Sequence, residues 1–259
     1  MAIGVFDSGV GGLTVYKELA AAFPDTDLIY LGDTARVPYG NKSPETIVSY
    51  AKDCARYLVD NYHVSSLIVA CNTITCHAIE PLETEFGIPA LGVIEAGAKQ
   101  ALAVSQNKKI GVIATRATVN SCAYVDMLNK LSGNTVKVYQ QACPLLVPLV
   151  EEGILTGPVP EEMVKMYMNE MVSEGIDTVI LACTHFPLLA NVISKLYMSL
   201  RLADSATMMV TQMQERNMAG KESGKREVLV TAASDAFEKL KTMMVGDVPL
   251  RVVKLNTES

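Results

Sequence analysis

Two cysteines of this sequence stand in matching surroundings and have the chemistry of proton transfer. Cys71 lies in Ala-Cys-Asn-Thr at residues 70–73, and Cys183 lies in Ala-Cys-Thr-His at residues 182–185. Each follows a short apolar run of the kind that forms a buried strand. A thiol has an ordinary pKa of about 8.5, so its proton can be given up or taken back near neutral pH.

Two thiols on opposite sides of one carbon can invert the configuration of that carbon. One acts as a thiolate and removes the Cα proton, while the other acts as a thiol and returns a proton to the opposite face. Such a pair titrates as a coupled system. We therefore predict that Cys71 and Cys183 are the catalytic acid and base of an amino-acid racemase.

Each thiol needs a polar neighbour that holds its charge. Asp7, at the end of the first predicted strand, is expected to serve Cys71. His185 is expected to serve Cys183, and Glu151 is expected to orient His185. Both cysteines also precede a predicted helix start, where backbone N–H groups are expected to lower the pKa of a thiol.

The other cysteines lack this context. Cys54, Cys76, Cys122 and Cys143 form no Cys-X-X-Cys pair and no metal-ligand spacing, so we expect free thiols and no bound metal. We interpret them as small packing residues. The roles of Cys76 and its neighbour His77 stay open at this level.

The elements that must position these groups alternate between short apolar runs and longer amphipathic ones, which is typical of an α/β fold. Strands are predicted at residues 2–6, 28–31, 66–70, 88–91, 109–114, 136–140, 178–182, 200–203, 227–231 and 250–254. Helix starts are predicted at residues 43–45 (Ser-Pro-Glu) and 160–162 (Pro-Glu-Glu), and an exposed loop at residues 221–226. In open parallel sheets, ligands bind beyond the carboxyl ends of the strands, where both cysteines fall.

The chain also resembles itself. Residues 3–5 (Ile-Gly-Val) recur 107 residues later at 110–112, and the strand before Cys71 recurs before Cys183, 112 residues later. The alternative is that βα units look alike through composition alone. Two halves of about a hundred residues each fit the usual size of a domain. We therefore predict two pseudo-symmetric open-sheet α/β domains with the active site between them.

Two loops are candidate binding segments. Residues 7–12 (Asp-Ser-Gly-Val-Gly-Gly) follow the first strand, and their glycines would let a ligand approach the backbone at a helix N-terminus. A nucleotide fingerprint is one alternative, although Thr14 stands where its last small residue is needed. A tight turn with positive φ is another. Residues 32–41 follow the second strand and are rich in hydrogen-bonding groups.

Composition excludes several classes of protein. The 259 residues carry a net charge of −6, which argues against a nucleic-acid partner. Neither a long apolar stretch nor a basic, apolar leader is present, so we expect no membrane span and a cytoplasmic protein. No lysine stands in a context that suggests a Schiff base to pyridoxal phosphate, so no cofactor is expected.

Several segments together resemble the glutamate racemases of the aspartate/glutamate racemase superfamily. They are residues 7–12, 33–40, 70–73, 143–151 and 182–185, and the tail at 231–246 agrees with them. The similarity runs through nearly the whole chain. It departs at residues 74–77, where Ile-Thr-Cys-His stands in place of smaller residues.

The resemblance implies interconversion of L- and D-glutamate by a homodimer, with D-glutamate supplied to peptidoglycan. It implies a first domain of residues 1–94 plus 206–259, completed by the C-terminal segment, and a second domain of residues 95–205. The implied catalytic residues are Cys71, Cys183, Asp7, Glu151 and His185. The implied substrate contacts are Asp7, Ser8, Asp33, Tyr39, Gly40, Asn72, Thr73, Thr184 and His185.

Two rival functions stay open. An aspartate or other acidic amino-acid racemase would use the same pair of thiols, although residues 33–40 favour glutamate by resemblance. A non-catalytic two-domain amino-acid binding protein would need the cleft but not two thiols.

Overall fold

The computed structural model describes residues 2–220 and 222–255. Its strands are β1 (Ile3–Asp7), β2 (Leu28–Gly32), β3 (Ser66–Val69), β4 (Ala90–Gly92), β5 (Lys109–Ala114), β6 (Lys137–Ala142), β7 (Thr178–Ala182), β8 (Arg201–Ala203), β9 (Arg226–Val230) and β10 (Leu250–Val252). Its α-helices are α1 (Leu13–Ala22), α2 (Pro44–Tyr62), α3 (Asn72–Phe86), α4 (Val93–Val104), α5 (Arg116–Asn120), α6 (Ala123–Ser132), α7 (Leu146–Glu151), α8 (Pro158–Ser173), α9 (Ala190–Leu196), α10 (Ala206–Glu215) and α11 (Asp235–Val245). A 3₁₀ turn at Phe186–Leu189 precedes α9.

The strands form two sheets in which every pairing is parallel. The six-stranded sheet has the order β10-β9-β2-β1-β3-β4, and the four-stranded sheet has the order β6-β5-β7-β8. In the first sheet β1 lies between β2 and β3, just as β5 lies between β6 and β7 in the second. The predicted internal repeat is therefore present in the topology, and composition alone does not explain it.

All ten predicted strands are present, and none of their ends differs from the prediction by more than two residues. They form because their apolar residues are buried from both sides, as parallel sheets covered by helices require. In β1, Ile3 and Val5 belong to one core cluster, while Phe6 belongs to the cluster on the other face of the sheet. The second sheet has two such clusters as well.

The two predicted helix starts have different outcomes. Ser43 precedes α2, and its hydroxyl accepts a hydrogen bond from the Thr46 backbone N–H, as predicted. The start predicted at Pro160 is wrong by two residues, because α8 already begins at Pro158. A proline at the first position of a helix loses no hydrogen bond, so Pro158 fits that place better than Pro160.

The C-terminal segment adds to the first sheet. Strand β9 pairs with β2, and β10 pairs with β9, while α10 packs against α1 and α4. The domain boundaries at residues 94/95 and 205/206 stay a prediction. Lys221 of the predicted loop at 221–226 and the final residues 256–259 lie outside the described residues, and Glu222, Ser223 and Lys225 are exposed as expected.

In the part of the chain that the structure describes, no helix combines the length and the apolar character needed to span a membrane.

Candidate active site

A cavity of about 360 Å³ lies where the carboxyl ends of strands from both sheets meet. Nine of the twelve residues proposed from the sequence line it. They are Ser8, Tyr39, Gly40, Cys71, Asn72, Thr73, Cys183, Thr184 and His185. Asp7, Asp33 and Glu151 lie outside the lining and act on it through other residues.

Cys71 enters the cavity from the first sheet, as the residue that precedes α3. Its thiol donates a hydrogen bond to Ser8 Oγ at 3.6 Å. Burial, and next the negative charge of Asp7, raise the pKa of the Cys71 thiol well above its ordinary value, although the Ile74 backbone N–H acts in the opposite direction. The helix start lowers this pKa as predicted, but burial, which disfavours the charged thiolate, has the larger effect and sets the net direction.

Cys183 enters the same cavity from the second sheet, but its surroundings are charged. Its sulfur lies 3.8 Å from His185 Nδ1, and His185 Nε2 lies 3.2 Å from Glu151 Oε1. Burial alone lowers the pKa of His185, but the hydrogen bonds to Cys183 and Glu151 outweigh it and raise the pKa to about 10. A protonated imidazole beside the sulfur can donate a hydrogen bond to it. The helix predicted directly after Cys183 is only the short 3₁₀ turn at Phe186–Leu189.

Asp7 does not contact Cys71 through a hydrogen bond. Its carboxylate accepts from the backbone N–H groups of Gly9 and Gly12, at 3.2 and 2.9 Å, and from Thr184 Oγ1 at 3.3 Å. The N-terminal end of α1, expected to attract a ligand, is thus occupied by a carboxylate of the chain itself. Asp7 acts on Cys71 through its charge, and Ser8 is the hydrogen-bond partner of the thiol.

The glycines at residues 9, 11 and 12 serve close packing between segments of the chain. None of the three has a positive φ, so the alternative of a positive-φ turn is wrong. A methyl group at Gly11 would lie 2.5 Å from Thr184 Oγ1, and one at Gly12 would lie 2.5 Å from Asp7 Cβ. Gly11 therefore lets the loop that follows β1 meet the loop that follows β7.

Asp33 anchors the loop between β2 and α2 instead of facing the cavity. Its Oδ2 accepts from Arg36 Nε at 2.5 Å and from the Tyr39 hydroxyl, and its Oδ1 accepts from Thr231 Oγ1 at 2.9 Å. The Tyr39 hydroxyl is thus engaged away from the cavity that Tyr39 lines. The same loop contains Gly40, where an added methyl group would lie 2.6 Å from Thr115 Cβ.

Comparison with known proteins agrees with this arrangement. The profile of the Asp/Glu/Hydantoin racemase family matches residues 3–213. The glutamate racemase of Sulfurihydrogenibium sp. is 50% identical over 256 residues, which cover 99% of this chain and 98% of that protein. The chain belongs to the glutamate racemase family.

Solved structures of the family are similar over nearly their whole length. Glutamate racemase from Francisella tularensis, in complex with D-glutamate, is 34% identical with a TM-score of 0.89, covering 99% of this chain and 98% of that one. Glutamate racemase isoform RacE1 from Bacillus anthracis is 33% identical with a TM-score of 0.91 over the same shares of the two chains. The two-domain racemase fold predicted from the sequence is confirmed.

This member of the family has cavity residues that the sequence reasoning missed. Thr115 and Arg116, which follow β5, line the cavity, as do Pro144, Leu145 and Tyr167 from the second sheet's loops and α8. The repeat contains the signal for Thr115, because it lies 107 residues after Ser8 and so occupies the equivalent strand end. Nothing in the local pattern identifies Tyr167.

A cluster of hydroxyl groups closes one side of the cavity. Thr73 Oγ1 lies 2.9 Å from Thr115 Oγ1 and 3.4 Å from Thr118 Oγ1. The cluster joins the start of α3 to the start of α5, and so connects the two sheets. Among residues 2–220 and 222–255, no group of three or more His, Cys, Asp or Glu side chains is arranged to hold a metal ion.

Proposed function

We propose that this protein interconverts L- and D-glutamate by a two-base mechanism in which Cys71 and Cys183 act from opposite faces of Cα. One observation carries the proposal: two thiols that follow topologically equivalent strands, β3 and β7, open on one shared cavity. A packing role for free cysteines does not require that placement. A binding protein would not require it either.

The two thiols have opposite resting states in this proposal. We assign Cys183 the role of the base, because the protonated His185 beside it can donate a hydrogen bond to the sulfur. Cys71 keeps its proton, because burial and the charge of Asp7 raise the pKa of its thiol. The resting enzyme therefore holds one base and one acid, as the reaction requires.

In one direction, the Cys183 thiolate takes the Cα proton and the electron pair of the broken C–H bond stays on the substrate. The Cys71 thiol then gives its proton to the opposite face of Cα. The product has inverted configuration, Cys183 is a thiol and Cys71 is a thiolate. The opposite enantiomer is converted by the reverse sequence, so no net oxidation or proton loss occurs.

Charge that develops on the substrate has to be held by donors already in place. Asn72 directly follows Cys71 and lines the cavity, which gives that thiol a neighbouring side-chain donor, whereas the Thr184 hydroxyl beside Cys183 already donates to Asp7. Thr73, Thr115 and Ser8 add hydroxyl groups to the lining. We assign these residues to the substrate carboxylates.

The charges of the lining support an acidic substrate. No Asp or Glu side chain is among the described lining residues, whereas Arg116 brings a positive charge to the lining; the charge of His185 is already paired with Glu151. An amino acid with two carboxylates is therefore attracted even though the protein as a whole carries a charge of −6.

The test is incubation of the protein with L-glutamate, and separately with L-aspartate, in heavy water. We expect loss of the circular dichroism of L-glutamate and formation of D-glutamate with deuterium at Cα, since the returning proton comes from a thiol in exchange with solvent. Unlabelled product, no turnover, or a preference for aspartate would contradict the proposal.

Three further statements rest on the resemblance to the family. We propose that the D-glutamate formed is supplied to peptidoglycan, that the protein acts in the cytoplasm, and that it forms a homodimer. Light scattering coupled to size-exclusion chromatography tests the last of these, and a monomeric mass at all concentrations would contradict it.

A further inference from the structure

Tyr124 reaches from the second half of the molecule to a residue of the cavity wall. It lies in the first turn of α6 and is almost fully buried. Its hydroxyl donates a hydrogen bond to Asn72 Oδ1 at 2.7 Å, and Asn72 lies in the first turn of α3. Gly97 on α4 leaves room for it, because a methyl group there would lie 2.8 Å from the Tyr124 hydroxyl.

The direction of this hydrogen bond follows from the burial of Tyr124. Burial raises the pKa of the Tyr124 hydroxyl well above its ordinary value, so the group keeps its proton and is available as a donor. The amide of Asn72 then presents its oxygen to Tyr124, and its NH₂ group has to point elsewhere. In the described part of the chain, no hydrogen bond uses Asn72 Nδ2, although the residue lines the cavity.

We infer that Tyr124 is a positioning residue, which holds the Asn72 amide so that its NH₂ group faces the cavity as a donor to a substrate carboxylate. The inference rests on the proposed function. Without the Tyr124 hydroxyl the amide can rotate by half a turn, and its carbonyl oxygen would then repel the carboxylate. Tyr124 itself lies outside the cavity lining, so it touches no reacting atom.

A donor to a carboxylate that is present in both enantiomers acts on binding more than on proton transfer. Loss of its orientation is therefore expected to raise the KM for both enantiomers while leaving kcat nearly unchanged. A general loss of packing would act differently, because it would lower the amount of folded protein and reduce the apparent kcat.

The experiment compares Tyr124→Phe with a matched control, Tyr16→Phe. Tyr16 is also fully buried, and its hydroxyl donates to the Leu28 carbonyl at 3.3 Å in the core of the first sheet. For Tyr124→Phe we expect the KM for L- and D-glutamate to rise about fivefold to tenfold, with kcat within about twofold of the wild type. Tyr16→Phe should leave KM unchanged.

A double-mutant cycle tests whether Tyr124 acts through Asn72. We expect Asn72→Ala to raise KM further than Tyr124→Phe, and the double variant to equal Asn72→Ala, since no amide remains to be oriented. Effects that multiply, an unchanged KM in Tyr124→Phe, or a fall in kcat without a change in KM would each overturn the inference.

Calorimetric titration with D-glutamate separates this inference from the proposed function. The Cys71→Ser background is used with and without Tyr124→Phe, so that binding is measured without turnover. If the wild-type protein binds D-glutamate but never racemises it, the proposed function alone is overturned. A loss of affinity on Tyr124→Phe would then still support the positioning role. Equal affinity for D-glutamate with and without Tyr124→Phe, or no binding at all, would overturn the positioning role.

Discussion

Cys71 and Cys183 occupy equivalent places in the two sheets, yet they differ in what surrounds them. Cys71 has a neutral partner, Ser8, and lies near the buried charge of Asp7. Cys183 has a charged partner, His185, which is held in turn by Glu151. The repeated fold accounts for two thiols on one cavity, and in the proposed mechanism the unequal neighbours make one thiol the acid and the other the base.

The difference shows how a symmetric scaffold supports a reaction that is symmetric only over a full cycle. In the proposed mechanism the two thiols must differ by one proton before and after each turnover. In identical surroundings either thiol could carry the single negative charge, whereas unequal neighbours determine which one carries it. The following predictions remove one side of the comparison at a time, in order of decreasing effect.

Replacement of either thiol by a hydroxyl should have the largest effect. Because a hydroxyl is far less acidic than a thiol, Cys71→Ser and Cys183→Ser should each lower the rate of racemisation by at least about a thousandfold. Polarimetry with L- and D-glutamate measures this rate. The matched control is Cys143→Ser, a buried thiol that follows β6 but does not line the cavity, and it should keep the rate within about twofold. Full activity in either cavity variant would refute the two-base scheme.

Removal of the charged partner of Cys183 should come next. His185→Gln keeps a polar group but loses the imidazolium, and we expect kcat to fall about a hundredfold, as for other groups that assist proton transfer. The pKa of His185 is raised from 6.5 to about 10 in the folded protein, so its stabilising effect is complete below about pH 6.5 and is lost as the pH rises through about 10.

The melting temperatures of the wild type and of His185→Gln, measured between pH 5 and pH 10.5, check the sign of this effect. The advantage of the wild type should be constant at the acidic end and should shrink as the pH rises toward 10. An advantage that grows with pH would show that the imidazolium is not the stabilised form.

Loss of the charge behind His185 should have an intermediate effect. Glu151→Gln keeps an oxygen that can accept from His185 Nε2 but removes the negative charge, so we expect kcat/KM to fall about tenfold. Its neighbour Glu152 is exposed and provides the matched control. If Glu152→Gln lowers kcat/KM as much as Glu151→Gln does, the pairing of Glu151 with His185 has no functional role.

Loosening of the loop that contains Tyr39 and Gly40 should have the smallest effect. Thr231 Oγ1 donates to Asp33 and accepts from the Ala35 backbone N–H at 2.8 Å, so Thr231→Val breaks two anchors of that loop. We expect KM to rise about threefold, which corresponds to one weak hydrogen bond. Thr242→Val, at an exposed position on α11, should leave KM unchanged. An unchanged KM in Thr231→Val would show that the loop is held without this contact.

Much of the fold could be predicted from the sequence, because parallel strands buried on both faces appear as short continuous apolar runs. The repeat placed Cys71 and Cys183 at equivalent strand ends, which is the main feature of the candidate site. The start of α2 could be predicted from Ser43 alone, because a serine at that place can cap the helix. These features depend on neighbours in the sequence.

The features that could not be predicted depend on contacts between distant segments. The sequence predicts that Asp7 serves Cys71, but the Asp7 carboxylate is held by its own glycine loop and by Thr184, 177 residues away, and acts on Cys71 only through its charge. The raised pKa of the Cys71 thiol follows from burial, which no local pattern reports. The hydrogen bond of Tyr124 to Asn72 spans 52 residues and belongs to the same class.

The exchange of the α-proton in the single cysteine variants tests the two-sided arrangement most directly. Each enantiomer is incubated in heavy water with Cys71→Ser and with Cys183→Ser, and deuterium at Cα is measured by mass spectrometry. The remaining thiol faces the Cα proton of only one enantiomer. Each variant should therefore exchange that proton in one enantiomer without inverting it, and the two variants should act on opposite enantiomers. Exchange of the same enantiomer by both variants, or of both enantiomers by one variant, would contradict the placement of the two thiols on opposite faces.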